Sequence, residues 1–305
     1  MSEAIRSDAY QTVTDRIVAA IEAGAEKWRM PWHVKGDGTM PAVPVNAASG
    51  KPYRGINVVA LWIAAGAAEY PSGRWATYRQ WAEMGAQVRK GEKSTFVVFW
   101  KVLGDDKADE QSDDGADGAG RRMMARGYHV FNAAQVEGAI VTEATAEPAP
   151  EAERIARAEG FFGALRADIR HGGNRAYYAP GPDYVQMPDF AAFTDPVAYY
   201  ATLAHESGHW TGHKSRCARD FTGRFGSEAY AVEELVAELT AAFVCGDLGL
   251  ASEPRPDHAA YIASWLKVLK HDKRAIFTAA SKAQQAADWM HKCQPVAAEE
   301  ERRAA

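Results

Sequence analysis

Two apolar stretches of this chain have the make-up of strands. Thr95-Phe-Val-Val-Phe-Trp-Lys-Val-Leu103 and Arg122-Met-Met-Ala-Arg-Gly-Tyr-His-Val-Phe131 are rich in β-branched and aromatic residues, which favour a pleated, half-buried surface. Between them, residues 105–120 hold seven acids among Gly, Ala and Ser. Such a composition buries too little apolar surface to order itself, so about 104–120 reads as a disordered insertion within one sheet. Further on, the pattern changes period. In Glu228–Phe243, Leu235, Leu239 and Ala242 join Val232, Val236 and Phe243 to make a helix apolar over much of its circumference, which predicts burial. Tyr199–Ala204 is helix-tolerant and lacks Pro and Gly. The helix is therefore expected to run on into His205-Glu206-Ser207-Gly208-His209.

That pentapeptide is an HExxH sequence. On a helix, positions i and i+4 share one face, so both imidazoles can reach one Zn2+ ion, with Glu206 beside it as general base for an attacking water. Catalytic zinc sites usually take three protein ligands, so a third is sought downstream. The longer pattern HExxHxxGxxH matches at Gly212 and fails at Ser215. His213 continues the stripe, but a straight helix carries it too far from an ion already held by the first two. The buried acidic helix offers Glu234 and Glu238 at i, i+4, a spacing that suits Glu234 as ligand and Glu238 as the carboxylate orienting a ligating His from behind. Glu238 is the main rival for the ligand position. Glu233, about 100° round the helix, is expected to point elsewhere.

Composition fits a two-domain enzyme. The chain has 305 residues, 47% of them hydrophobic, and a net charge of −5, which excludes a basic nucleic-acid binder as a whole. No run of 18 apolar residues exists, so no membrane span is expected, and the N-terminus has no signal-peptide core. Three cysteines with no CxxC spacing read as reduced thiols of a cytoplasmic protein. Charge is uneven: residues 1–101 carry thirteen Lys and Arg against nine acids, and six of the nine tryptophans lie there. Trp28, Trp32, Trp75 and Trp81 alternate with cations, and aromatics interleaved with cations suit single-stranded DNA, which stacks bases on rings and sets phosphates against charges. Trp62 and Trp100 read as core. The candidate DNA-binding residues are Arg54, Asn57, Trp75, Tyr78, Arg79, Arg89, Lys90 and Lys93. A linker at 141–150 separates a first domain, 1–140, from a second, 151–295, with a disordered tail at 296–305.

The chain resembles the ArdC antirestriction proteins. The likeness rests on Trp28-Arg-Met-Pro-Trp32, Lys51-Pro-Tyr-Arg-Gly-Ile-Asn57, Trp75-Ala-Thr-Tyr-Arg-Gln-Trp81, Gly85-Ala-Gln-Val-Arg-Lys-Gly91, Val130-Phe-Asn-Ala-Ala-Gln-Val-Glu-Gly138, Leu203–His213 and Ala231–Leu239, several independent stretches in order. It implies a single-stranded-DNA-binding domain followed by a zincin-like zinc metallopeptidase, protecting incoming plasmid DNA during conjugation. The protein substrate is unidentified, with a restriction-system component as a candidate. The alternative is a DNA-shielding protein whose metal site is structural or unused. The fold expected is α+β. In the first domain, a helix near Tyr10–Gly24 accompanies a small antiparallel sheet around 94–132. In the second, a mainly helical minimal zincin, a helix at about 151–170 precedes strands Arg175–Tyr178 and Tyr184–Pro188, the two motif helices, and helices at about 256–292. Tyr184–Met187 is the candidate edge strand for aligning a peptide. Tyr261, His258 and His271 are candidates to stabilise the oxyanion.

Overall fold

The computed structural model describes residues 2–25, 43–102, 123–138, 150–221, 223, 227–250 and 258–295. The acidic insertion, all but the last residue of the linker, the tail, and Trp28 and Trp32 lie outside them. The elements are α1 (Ser2–Ala25), β1 (Val45–Asn46), α2 (Ile56–Ala67), β2 (Arg74–Thr77), α3 (Tyr78–Glu83), β3 (Gln87–Val88), β4 (Thr95–Val102), β5 (Met123–Asn132), β6 (Val136–Glu137), α4 (Glu151–Ala164), β7 (Asp168–His171), β8 (Tyr177–Ala179), β9 (Tyr184–Met187), α5 (Pro196–Trp210), α6 (Glu228–Leu248), α7 (His258–His271) and α8 (Ala275–Lys292). The class is α+β. No helix among the described residues is long and apolar enough to cross a membrane.

The chain divides into two units. One comprises Met1–Lys35, Pro41–Ala146 and Leu266–Ser281; the other, Gly36–Met40, Glu147–Trp265 and Lys282–Ala305. This differs from the boundary read from sequence, because Leu266–Ser281 packs with the first unit. Thr14 Oγ1 donates to the Lys273 carbonyl at 2.7 Å, and the rings of Tyr10 and Phe277 stack edge to face with centroids 4.5 Å apart. An apolar helical period shows that a face is buried but not against which core.

In the first unit, β4 and β5 pair antiparallel from Thr95↔Val130 to Val102↔Met123, as the two strand-like stretches predict. The sheet order is β1-β2-β5-β4, with β1 parallel to β2. Asn57 of α2 grips the sheet: its Nδ2 donates to the Val98 carbonyl at 2.7 Å and its Oδ1 accepts from Val98 N at 2.8 Å. Val59, Leu61, Trp62, Trp75, Val97 and Val98 are buried. β3 and β6 form a separate antiparallel ribbon. Beneath α3, Trp81 packs with Ala76, Ala86 and Val88.

In the second unit, α4 ends at Ala164 and Arg166 takes a left-handed φ of 53°, so the chain turns into β7 instead of continuing as helix to 170. β7 then pairs parallel to β9, and β8 pairs antiparallel to β9 from the other side. The order β7-β9-β8 corrects the edge-strand expectation: Tyr184–Met187 is central, and β8 is an edge. Asp195 caps α5 by accepting from Ala198 N at 2.8 Å, with Pro196 in the first turn, where its missing N–H costs nothing. Ser227 caps α6, which closes on Gly249 at φ 69°, the left-handed stop that glycine tolerates.

Candidate metal centre and nucleic-acid surface

The two motif helices meet face to face. A Cβ at Gly208 would lie 3.1 Å from Ala237 Cα, so the small residue inside HExxH is what lets α5 approach the α6 backbone. This brings the acids of α6 to the imidazoles. His205 Nε2 faces Glu234 Oε2 at 3.5 Å and His209 Nε2 faces Glu234 Oε1 at 3.5 Å. Ligand atoms of His205, His209 and Glu234 all lie within 4.8 Å of one another. The opposite ring nitrogens each face a different carboxylate: His205 Nδ1 lies 3.5 Å from Glu238 Oε2, and His209 Nδ1 lies 3.2 Å from Glu233 Oε1. Glu206 is buried and lines the same cleft of about 320 Å³.

Electrostatics follows from this packing. Burial alone would lower the pKa of His209, but bonds to Glu233 and Glu234 outweigh it and raise it to about 10. Burial alone would raise the pKa of Glu234, but bonds to His205 and His209 hold it well below the usual carboxylate range. Without an ion, the site therefore concentrates negative charge around imidazole nitrogens. A divalent cation fits this donor set: two imidazole nitrogens and a carboxylate suit zinc, and the carboxylate also suits manganese, and buried carboxylates are stable only when paired or ligating.

Several cleft residues leave little trace in the sequence. Glu233 does not point elsewhere; it supports His209, because the side chain spans the angle that the helical wheel assigns to a neighbouring face. Tyr230 lines the cleft, and its hydroxyl bonds to Glu234 and lies 3.1 Å from that of Tyr261. Tyr230, Glu234 and Glu238 repeat at i, i+4, which is the signal that could have found it. β8 lines the cleft with Tyr177 and Tyr178. Of the oxyanion candidates, Tyr261 lines the cleft; His271 is exposed and not part of its wall; the side chain of His258 lies outside the described residues. His213 Nδ1 bonds Ser215 Oγ at 2.8 Å, apart from the three candidate ligands. Cys217, Cys245 and Cys293 are free.

The candidate DNA-binding residues fare unevenly. Trp75 and Asn57 are each 1% exposed, so neither side chain is offered to a ligand: Trp75 is core against Tyr70, and Asn57 is spent on Val98. Tyr78, at 52% exposed, does face solvent. It lines a groove with Gln87, Arg89, Lys90 and Phe131, and its hydroxyl accepts from Gln87 Nε2 at 2.8 Å. Arg89 is tied to Glu92 at 2.6 Å and Arg79 to Glu83 at 2.8 Å. Lys90 and Lys93 are exposed, and Arg54 is partly buried.

Comparisons with known proteins cover nearly the whole chain. Residues 7–131 match the N-terminal domain of anti-restriction factor ArdC, and residues 156–282 match a zincin-like metallopeptidase domain. The protein y4eC of Sinorhizobium fredii (strain NBRC 101917 / NGR234) is 58% identical over 93% of this chain and 92% of its own length. Crystal structures of the antirestriction ArdC protein from plasmid R388 superpose at 43% identity, covering 93% of this chain and 97% of theirs. Their TM-scores are 0.75 for the metal-free form and 0.74 for the Mn(II)-bound form. The DNA primase TraC of Escherichia coli is 38% identical over 94% of this chain, which spans 27% of that protein's length.

Proposed function

The chain belongs to the ArdC antirestriction family, and from that premise we propose that it binds single-stranded DNA through its first unit and hydrolyses peptide bonds at the His205–His209–Glu234 centre of its second, protecting plasmid DNA entering a cell by conjugation. The observation that carries the peptidase half is the convergence of both Nε2 atoms on Glu234 with Glu206 in the same cleft. His205, His209 and Glu234 would hold one divalent ion, zinc or manganese, which supplies Lewis acidity toward a scissile carbonyl. Glu206 takes a proton from the attacking water and delivers it to the leaving amine. A site used only for structure has no need of that carboxylate. Glu233, bonded to His209 Nδ1, orients that imidazole from behind, and Glu238 faces the Nδ1 of His205. Tyr261, held through Tyr230, donates to the developing oxyanion. The β8 edge aligns an extended peptide by strand addition.

The DNA half rests on Tyr78, an exposed ring in a groove lined by Arg89 and Lys90 as well as by Glu92 and Glu137; the ring suits a stacked base, with Lys90 the cation for a phosphate alongside. The natural protein substrate would be met in the cytoplasm, and a component of a restriction system is the candidate. The deciding test is restriction of a transferred plasmid in cells carrying wild type or Glu206→Ala. Protection lost while DNA affinity and bound metal persist supports proteolysis. Protection retained in full contradicts it and leaves shielding of DNA as the function.

A further inference from the structure

The loop behind α5 carries Arg216 and Arg219, and both side chains are buried. The Arg219 guanidinium is engaged on every nitrogen. Nε and Nη2 donate to the Glu233 carboxylate at 3.0 and 2.8 Å, Nη2 also to the Gly208 carbonyl at 2.6 Å, and Nη1 to the Thr211 hydroxyl at 2.9 Å. Glu233 in turn meets His209 Nδ1 at 3.2 Å. An unbroken line thus runs from guanidinium to carboxylate to imidazole. Gly212 clears the space for it: a Cβ there would lie 3.0 Å from Arg219 Nη2 and 2.3 Å from the Phe221 ring.

Burying such a pair is costly, and apolar residues of similar volume would hold two helices together at least as well. What apolar residues cannot do is fix the tautomer and direction of an imidazole. The two histidines differ in this respect. His205 Nδ1, though 3.5 Å from Glu238, has no hydrogen-bond partner, whereas His209 Nδ1 has one that is itself clamped. We propose that Arg219 is a positioning residue for the metal centre: by gripping Glu233 it turns His209 Nε2 toward Glu234. This rests on reading His205, His209 and Glu234 as the ion-holding group. Arg216, from the same loop and equally buried, is the internal comparison, since it binds Asp183 and the Trp210 carbonyl and touches none of that group.

The test is calorimetric titration of the full chain with Mn(II) and then Zn(II), with circular dichroism to check the fold. Arg219→Gln and Glu233→Gln should each weaken binding about ten-fold, the low end of what is seen when a residue behind a metal ligand is lost. The combined variant should be no weaker than Glu233→Gln alone, because the arginine acts through the carboxylate. Arg219→Lys, which keeps the charge but not the two-pronged grip, should fall between wild type and Arg219→Gln. Arg216→Gln should bind as wild type does. Losses that add in the combined variant, an unchanged affinity in Arg219→Gln, or an equal loss in Arg216→Gln would each overturn the proposal. If Arg219→Gln does not fold, Arg219→Lys completes the cycle with Glu233→Gln under the same criteria. A wild-type chain that binds neither ion overturns the metal reading itself.

Discussion

The metal cleft and the first unit's surface differ in how their chemistry is assembled. In the cleft, both imidazoles, Glu206, the candidate ligand Glu234 and the two carboxylates behind the imidazoles, Glu233 and Glu238, lie on α5 and α6. Helical spacing fixes what each helix presents, and one close approach at Gly208 brings the two faces together. On the first unit, the cations and rings come from a turn, short strands and helix ends, and their exposure is decided by tertiary packing. Trp75 turns into the core and Tyr78, three residues on, turns out. A candidate metal centre built on two regular elements can be read from spacing. A binding surface built across loops cannot, because the same aromatic serves a core or a ligand equally well.

Substitutions can break or sharpen this contrast. Glu206→Ala is the sharpest at the cleft. Any peptide cleavage by the metal-loaded chain should fall by about 10²–10⁴-fold, the usual contribution of a positioned general base, while metal content, measured by atomic absorption, stays at the wild-type level. Next is Trp75→Ala, which should destabilise the protein by about 3–5 kcal/mol, as loss of a buried large ring does. Denaturant unfolding reads this directly. A Trp75 variant that is fully stable yet defective in DNA binding would show that the ring touches DNA after all.

Tyr78→Ala should be smaller and opposite in kind. Stability should hardly change, and single-stranded DNA affinity should drop by about 1–3 kcal/mol, the worth of one stacked base. Fluorescence anisotropy at fixed salt checks this, and equal affinity of the wild type for single and double strands contradicts the stacking model. The smallest effect is expected from neutralising Arg89 and Lys90 together. Binding should weaken modestly and the log–log salt slope flatten by about 0.7 for each phosphate that is no longer neutralised. Since Arg89 already spends part of its charge on Glu92, Lys90→Ala alone should account for most of the change.

The same contrast explains how much of the molecule is legible in its sequence. The β4–β5 pairing, the HExxH helix and the glutamate helix follow from period and composition, and the observed elements cover those stretches. The i, i+4 spacing offers Glu238 either as a ligand or as the carboxylate behind a histidine, and it lies 3.5 Å from His205 Nδ1, the ring nitrogen opposite the one that faces Glu234. The edge strand is misread from sequence because the helical period absorbs β7 into the preceding helix; the left-handed turn at Arg166 leaves no mark in an arginine. A helical wheel aims Glu233 away from the site because it ignores side-chain reach. The contribution of Leu266–Ser281 to the first unit is invisible in the sequence, because a periodic apolar face does not name its partner. Arg219 stands in the loop that follows α5, and only the fold shows that its guanidinium is buried on Glu233.

The central claim is that one ion is held by His205, His209 and Glu234 and by no other histidine of the motif helix's extension. Titrating Mn(II) into wild type, Glu234→Ala and His213→Ala tests it most directly. The account predicts one ion per chain in wild type and in His213→Ala, and a loss of affinity in Glu234→Ala beyond the roughly 10–100-fold typical of residues behind the ligands. Retention of the ion by Glu234→Ala together with its loss from His213→Ala would contradict it.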